Sequence, residues 1–202
     1  FKDAPAVAHY RTLSIGVSTD KVDTFKWIVN GVTVTQGANY TSTKNRLTIA
    51  KEALTIGASL KIRYEGTNKV SMAYAEVSVT VNKPPTPGTI TITPTTGTAL
   101  DTAFRFEAEG WTDDQLTPLR YVWVVKYTDG RLFTRSFEST NPQMNIPFMP
   151  KGDFKVKVEV YDGLSDSTTS DDSTLSVTQR TFTNKAAKMS ALADLFTSFI
   201  PT

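Results

Sequence analysis

Cysteine is absent from the chain, and histidine occurs only once, at His9. A protein without cysteine has no disulfide, so its fold depends on the burial of apolar surface alone. The same absence excludes a cysteine nucleophile and leaves the usual zinc ligands missing. Because no Ser-His-Asp pattern surrounds His9, we expect it to be a surface or packing residue. We therefore predict that the chain is not an enzyme and has no zinc site, and we assign no residue as a metal ligand.

Long apolar runs, an excess of one charge and glycine-rich phosphate loops are also missing. No segment is long and apolar enough to cross a bilayer. Lys and Arg together number 22 against 20 Asp and Glu, and the basic residues are scattered, which argues against nucleic-acid binding. No P-loop or dinucleotide motif occurs, so no cofactor is expected.

The segment Phe1-Lys2-Asp3-Ala4-Pro5 lacks the features of a signal peptide, and no initiator Met precedes it. We expect a piece of a longer protein.

One segment is typical of the central strand of a β-sandwich. Along residues 121–130 every second residue is aromatic or β-branched, which places Tyr121, Trp123 and Val125 on one face. The segment closes on Asp129-Gly130, a pair that favours a tight hairpin. An aromatic strand of some other β architecture is the alternative.

Similar alternating segments recur in both halves of the chain. Their apolar positions are Leu13, Ile15, Val17, Phe25, Trp27, Val29, Leu47, Ile49, Leu60, Ile62, Tyr64 and Ala73 to Val81, then Ile90, Ile92, Phe104, Phe106, Met144, Ile146, Phe154 to Val160, Leu175 and Val177. Trp123 follows Trp27 by 96 positions, and Ile146 follows Ile49 by 97. A repeat of this length predicts one sandwich per copy.

The two copies differ in two places. The second has a longer loop at residues 110–118, and Tyr161 is out of phase with Val156 to Val160, whereas Tyr64 is in phase with its own strand. We expect either a bulge or a slip in the alignment near Tyr161. Between the copies, residues 82–88 include three prolines, which predicts a short, stiff linker.

The C-terminal residues change from strand to helix periodicity. Asn184 can cap a helix of about 16 residues that ends before Pro201 and is too short to span a membrane. The apolar residues of one face are Met189, Leu192, Phe196 and Phe199. We expect the helix to dock on the sandwich or to begin a further helical domain; a partner-binding or membrane-surface helix is the alternative.

Several motifs of the second copy resemble one known module. They are Pro84-Pro85, the run Ile92-Thr93-Pro94-Thr95-Thr96-Gly97-Thr98-Ala99-Leu100-Asp101-Thr102-Ala103-Phe104, Gly110-Trp111 and Pro118-Leu119-Arg120-Tyr121. Together they resemble the receptor-for-egg-jelly (REJ) module of polycystins and related cell-surface proteins, over about Pro84 to Val177. The first copy looks like a diverged neighbour of Ig-like or PKD-like type. Family members in animals commonly carry cysteines where this chain has Glu107, Ala108 and Glu109, which points to a divergent member.

The repeat and the resemblance together predict an all-β fold. We expect an Ig-like or PKD-like sandwich at residues 1–83, a REJ-type Ig-like or fibronectin III-like sandwich at 84–180, and a helical segment at 181–202. The resemblance implies a non-catalytic structural or adhesion module of a larger cell-surface, ciliary or filament-forming protein. Its expected partners are neighbouring domains or copies of the parent protein, and membrane attachment would come through other parts of that protein.

Three features are candidates for binding or modification. The loop from Asp162 to Asp172 offers four carboxylates to Ca²⁺, although aspartate and serine are also ordinary loop residues. Asn39-Tyr40-Thr41 is an acceptor sequon, so Asn39 is a candidate glycosylation site. Trp111 could stack on a sugar ring in a glycan-binding accessory module, but we favour an anchoring role for it. An enzyme working through paired carboxylates would need a deep cleft, which two short sandwiches do not offer.

Overall fold

The computed structural model describes residues 6–8, 11–18, 22–114 and 118–198, without the side chains of residues 191, 192 and 194–198. Within these residues the chain forms β-strands, one 3₁₀ turn (Lys51–Ala53) and one α-helix, α1 (Lys185–Ser198). The strands are β1 (Ala6–Val7), β2 (Leu13–Gly16), β3 (Thr24–Val29), β4 (Val32–Thr33), β5 (Tyr40–Thr43), β6 (Arg46–Ile49), β7 (Ser59–Thr67), β8 (Met72–Val81), β9 (Thr89–Thr93), β10 (Thr96–Thr98), β11 (Phe104–Glu109), β12 (Arg120–Tyr127), β13 (Leu132–Arg135), β14 (Gln143–Ile146), β15 (Gly152–Tyr161), β16 (Ser167–Thr169) and β17 (Ser173–Thr178). The predicted all-β class with a short C-terminal helix is confirmed.

Two sheets built from the first repeat pack face to face. One is five-stranded in the order β1-β8-β7-β3-β4, and the other is three-stranded in the order β2-β6-β5. All neighbours are antiparallel except β1 and β8, which run parallel. The inward residues of both sheets form one core, which contains Trp27, Leu47, Ile49, Ile62 and Tyr64.

The second repeat is built on the same plan. Strands β10-β17-β15-β12-β13 form one sheet, with β16 paired to β15, and β14-β11-β9 form the other. Strand β10 pairs with β17 in parallel, as β1 does with β8. The smaller sheets share one pair of strands, β2-β6 in the first copy and β11-β14 in the second. They differ in the third strand, which is β5 beside β6 in the first copy and β9 beside β11 in the second. The internal repeat is therefore a repeat of topology as well as of sequence.

The core of the second sandwich is filled with aromatic and branched side chains. Trp123 is 2% exposed and Phe104, Phe106 and Phe154 are 1% exposed or less. Tyr121, Trp123 and Val125 all belong to this core, as the alternation predicted. Because Trp27 belongs to the other core cluster, the two tryptophans do not share a single core.

Tight turns close the predicted hairpins. Asn30 and Gly31 both have positive φ, 50° and 82°, as required of the two central residues of a type I′ turn. Asn30 Oδ1 also accepts a hydrogen bond from the main-chain N–H of Lys61 at 2.8 Å. In the second copy Gly130 has a φ of 92° between β12 and β13. These residues turn the chain back without the steric cost that a branched side chain would add.

Some strands give no alternation signal and were not predicted. Strands β5, β10 and β16 are three or four residues long and rich in Thr and Ser. They form through pairing with the neighbouring strands β6, β17 and β15, which a polar pattern does not reveal. Strand β15 alternates buried and less buried positions without interruption through Val160, and half-buried Tyr161 ends it. The phase conflict at Tyr161 is thus a slip in the alignment of the repeats and not a bulge.

The chain divides into two compact units. The first comprises residues Phe1–Pro85, Asp113–Thr117 and Tyr161–Ser167, and the second Thr86–Thr112, Pro118–Val160 and Thr168–Thr202. Two short loop segments of the second repeat thus belong to the first unit. The linear boundaries after residues 83 and 180 stay predictions.

The helix begins where its cap was predicted. Asn184 Oδ1 accepts a hydrogen bond from the main-chain N–H of Ala187 at 2.8 Å, which satisfies one of the free donors of the first turn. Met189 on this helix is 60% exposed. Phe199 lies outside the described residues, as His9 does. No described helix has the length and apolar character required to span a membrane.

Candidate functional site

Trp111 lies inside the second sandwich. Its side chain is 8% exposed and is part of the core cluster that holds Trp123. A Cβ atom at Gly88 would lie 2.7 Å from Trp111 Cδ1, so the linker glycine allows the main chain to pass close to the indole. An indole packed in this way has no open face for a sugar ring. The anchoring role is the one that the structure supports.

The aspartate-rich loop divides into two parts with different surroundings. Asp162 and Asp166 are buried, at 0% and 1% exposed, and Asn82 beside them is 2% exposed. Asn82 Nδ2 donates hydrogen bonds to Asp162 Oδ2 at 2.5 Å and to Asp166 Oδ2 at 2.7 Å. Asp162 Oδ1 in turn accepts the main-chain N–H groups of Leu164 and Asp166. All of these residues belong to the first compact unit.

The remaining aspartates do not join this pair. Asp172 lies 3.2 Å from Lys155 Nζ and 3.4 Å from Lys157 Nζ. Desolvation by partial burial opposes the ionisation of Asp172, but the two lysines outweigh it and hold the pKa of this carboxyl below its usual range. Among the described residues, no three or more of His, Cys, Asp and Glu are grouped so that they could hold a metal ion.

The outer face of the larger sheet in the second sandwich carries an ion pair between side chains of two strands. Arg135 on β13 is opposite Val124 on β12, and it donates two hydrogen bonds, of 2.8 and 2.6 Å, to Glu159 on β15. Since β12 runs between β13 and β15, this bidentate pair spans the middle strand. Val124 is only 8% exposed although it is on the solvent side of β12. The aliphatic stems of the pair help to cover Val124, whereas Leu132, the partner of Lys126 on β13, is 58% exposed.

The larger sheet of the first sandwich carries a similar network. Glu65 accepts from Lys26 Nζ at 2.8 Å and from Arg63 Nη2 at 2.9 Å. The hydrogen bond from Lys26 holds the pKa of the Glu65 carboxyl below its usual range, and the charge of Arg63 acts in the same direction. Arg63 also lies 3.9 Å from the ring centroid of Tyr74. These side chains form a mixed-charge surface and not a single-sign one.

One end of the same sheet is more apolar. Its exposed apolar residues are Phe25, Val70, Met72 and Tyr74, with exposed fractions between 40% and 93%. Beside Tyr74, a shallow apolar depression is lined by residues that include Ile15, Val17, Ala75 and Val77. The depression lacks the convergent polar groups typical of a small-molecule site.

The outer edge of β8 adjoins this depression. The main-chain N–H of Val81 donates to Ala58, on the side of β7, and that of Asn82 donates to Val7, on the side of β1. By the alternation of a β-ladder, the main-chain groups of Tyr74, Glu76 and Ser78 therefore face away from β7. Because β1 pairs only with Thr80 and Val81, no described strand covers this stretch.

Comparison with known proteins identifies the family to which these two sandwiches belong. The chain matches the REJ domain over residues 7–202. It is a member of the REJ domain family. The family match begins in β1 and so includes the first sandwich, whereas the sequence motifs had indicated the resemblance only for the second. No curated protein matches the chain.

Solved structures share the fold of this REJ domain protein at low sequence identity. Domains A168–A170 of titin superpose with a TM-score of 0.56 at 12% identity, covering 87% of this chain and 62% of the titin fragment. The match to the titin I-band fragment I67–I69 (TM-score 0.47, 16% identity) covers 87% of this chain and 63% of that fragment. The match to the fibronectin(III)-like modules of Clostridium thermocellum CbhA (TM-score 0.42, 15% identity) covers 87% of this chain and 90% of those modules. At 12% identity, the likeness to titin A168–A170 concerns the fold alone, and it agrees with the predicted Ig-like class.

Two residues with structural roles were missed by the sequence reasoning. The sequence places Asn82 only in the linker at residues 82–88 and gives no reason to single out Gln36. Asn82 is a donor to two buried carboxylates, and Gln36 bonds to the main chain of Ser42 in β5. A single sequence contains no signal for either, because each contact joins polar residues that periodicity does not distinguish.

Proposed function

We propose that this chain is a non-catalytic structural and adhesion module of a larger protein that lies outside the cell, at a cell surface, in a cilium or in a filament. Its partners are neighbouring domains or copies of the parent protein. Membrane attachment comes through parts of the parent chain outside this one. Membership in the REJ domain family and the Ig-like fold support a module of this kind.

The observation that carries the proposal is where the two sandwiches place their aromatic side chains. Trp27, Trp111 and Trp123 are all less than 9% exposed and belong to the cores. The described surface then offers strand edges, ion-paired sheet faces and small apolar areas. These features suit contacts between proteins, in which an open edge accepts a further strand. Since Trp111 is buried, nothing in the geometry favours glycan binding through its ring.

We infer that the stretch of β8 from Tyr74 to Ser78, which no described strand covers, is the contact edge for a neighbouring domain or copy. Ser78 is the residue to change, because its main-chain N–H faces away from β7 and a proline there removes no bond of the β7–β8 ladder. The experiment measures association, by sedimentation, of the chain with itself and with the adjoining segments of its parent protein. We expect Ser78→Pro to weaken association at least tenfold and Ser78→Ala to leave it unchanged. Association that is equally strong in Ser78→Pro would exclude this edge.

The location is tested on the intact parent protein. An epitope inserted next to Phe137, which is 96% exposed in the loop between β13 and β14, should be accessible to antibody and protease on unpermeabilised cells. Detection only after permeabilisation would contradict an extracellular module.

A further inference from the structure

The sequon Asn39-Tyr40-Thr41 lies at the start of β5, in the smaller sheet of the first sandwich. Asn39 is exposed and directly precedes the strand. Its main-chain carbonyl accepts a hydrogen bond from the N–H of Ala50 at 2.9 Å, one step beyond the Tyr40–Ile49 pair of the β5–β6 ladder. The backbone at Asn39 is therefore held in place by β6, while its side chain lies at the surface.

The alternation of β5 directs both sequon side chains to solvent. Tyr40 packs against the core of the first sandwich, so Asn39 and Thr41, one residue to either side of it, point to the opposite face. Both are exposed. Neither side chain makes a hydrogen bond within the part of the chain that the structure describes. The amide of Asn39 and the hydroxyl of Thr41 are thus on the same face and not engaged by the fold.

The outer edge of β5 is protected in an unusual way. Strand β5 is the last strand of its sheet, and no described strand pairs with its outer side. Gln36 occupies that side: its Nε2 donates to the carbonyl of Ser42 at 2.5 Å, and its Oε1 accepts from the N–H of Ser42 at 3.2 Å. The N–H of Gly37 donates to the carbonyl of Tyr40 at 2.9 Å. A side-chain amide and a loop thus take the place of a neighbouring strand, which prevents edge-to-edge pairing.

We propose that Asn39 carries an N-linked oligosaccharide and that this glycan completes the protection of the β5 edge and of the solvent face beside it. The inference rests on the extracellular location proposed above. Nδ2 of Asn39 loses one proton and bonds to the anomeric carbon of a lipid-linked diphospho-oligosaccharide. The bond from that carbon to the diphosphate breaks, the lipid diphosphate leaves with the electron pair, and a base of the transferring enzyme takes the proton. Partner contacts are then made by the larger sheet and its open β8 edge.

The modification is tested on the chain secreted from eukaryotic cells. We expect a mass increase corresponding to one oligosaccharide, removed by peptide N-glycosidase. The increase should be lost in Asn39→Gln and in Thr41→Ala, and kept in Thr41→Ser. Circular dichroism of all variants verifies that each one folds. An unmodified wild-type chain in this experiment would overturn the inference.

The site is located by digestion with trypsin. Cleavage after Lys26 and Lys44 gives one peptide that contains both Asn39 and Asn30-Gly31. The glycosidase converts a glycosylated Asn to Asp, and in ¹⁸O-water the new carboxyl carries the label. Because an Asn-Gly pair can deamidate without enzyme and take up the same label, an enzyme-free sample is the control. Fragment ions then show which of the two positions carries the label. We expect label at position 39 in the treated sample alone. Label confined to position 30 would overturn the assignment to Asn39.

The shielding role is tested separately. We expect the deglycosylated Gln36→Ala chain to form several-fold more sedimentable aggregate than its glycosylated form, because both protections of the edge are then missing. Equal amounts would overturn the shielding role. In these experiments the chain is directed into the secretory pathway whatever its natural location. An absent glycan would therefore overturn the glycosylation of Asn39 but not the proposed extracellular function. Failure of the proposed function would instead appear as an inaccessible epitope on the parent protein.

Discussion

Trp27 Nε1 donates a hydrogen bond to the main-chain carbonyl of Thr43 at 3.0 Å, and this bond joins the two sheets of the first sandwich. Trp123 occupies the corresponding strand of the second sandwich and is 2% exposed. Its Nε1 is buried and has no hydrogen-bond partner among the described residues. The repeat therefore preserves the indole ring as apolar volume but does not preserve the bond that the ring makes.

Replacing each tryptophan by phenylalanine should reveal this difference. Both substitutions remove buried ring volume, but Trp27→Phe also leaves the Thr43 carbonyl without its donor, whereas Trp123→Phe removes a buried unsatisfied donor. We expect Trp27→Phe to lower the free energy of unfolding of its own sandwich by about 1 kcal/mol more than Trp123→Phe does. Hydrogen exchange in increasing urea, followed by peptide for each sandwich, measures the two separately. An equal or larger loss for Trp123→Phe would contradict this account.

Gly88 should tolerate no side chain. A Cβ there would overlap the carbonyl oxygen of Glu109 and lie 2.7 Å from the main-chain nitrogen of Trp111. We expect Gly88→Ala to destabilise the second sandwich by about 2–3 kcal/mol, since main-chain atoms cannot give way as a flexible side chain can. Gly37→Ala is the matched control and should be nearly neutral, because nothing lies within 4 Å of its Cβ. Thermal or urea unfolding of the two variants gives the comparison, and similar midpoints would refute it.

Asn82 should be one of the most sensitive polar positions in the first unit. Asn82→Ala removes the donor shared by two buried carboxylates and should lower the free energy of unfolding by about 3 kcal/mol. Asn82→Asp should cost more at neutral pH, because it places a third carboxylate beside Asp162 and Asp166. In unglycosylated protein, Asn39→Ala is the control, and we expect a change within about 0.5 kcal/mol. Urea unfolding measures all three, and a small loss for Asn82→Ala would rule out a stabilising role.

The stability of the first sandwich should decrease in acid through Glu65. Its pKa is lowered in the folded state by Lys26 and Arg63, so the unfolded chain binds a proton more readily. The contribution of Glu65 is then fully present above the pKa of the unfolded chain, about 4.3, and is lost as the pH falls through the folded-state value.

Urea midpoints measured from pH 7 to pH 3 test this prediction. Glu65→Gln should flatten the acid limb for the first sandwich. Glu52→Gln should leave that limb unchanged, because the Glu52 side chain is 65% exposed and 3.9 Å from Lys51. Identical profiles for the wild type and Glu65→Gln would show that other carboxyls cause the acid loss.

The sequence by itself determined the class of fold and its duplication. Alternating residues around Trp27 and Trp123, the separation of 96 positions and the Asn30-Gly31 and Asp129-Gly130 turns are local or periodic features. Alternation identifies a strand by its period of two, and the turn residues are those that tolerate the φ of a tight turn. Both features can therefore be recognised in a single sequence. The helix cap at Asn184 belongs to the same kind of feature, because donor and acceptor lie three residues apart.

The tertiary structure alone decided which polar and aromatic residues meet. Trp111 follows a glycine in a long loop, and only the packing shows that its ring enters the core. Asn82 meets Asp162 and Asp166 across 80 and 84 residues, and the Asp162–Asp172 loop separates into a buried pair and a lysine-bound Asp172. Such contacts depend on where distant loops come together in space. No periodicity of a single strand encodes that, so the fold was predictable and the polar contacts were not.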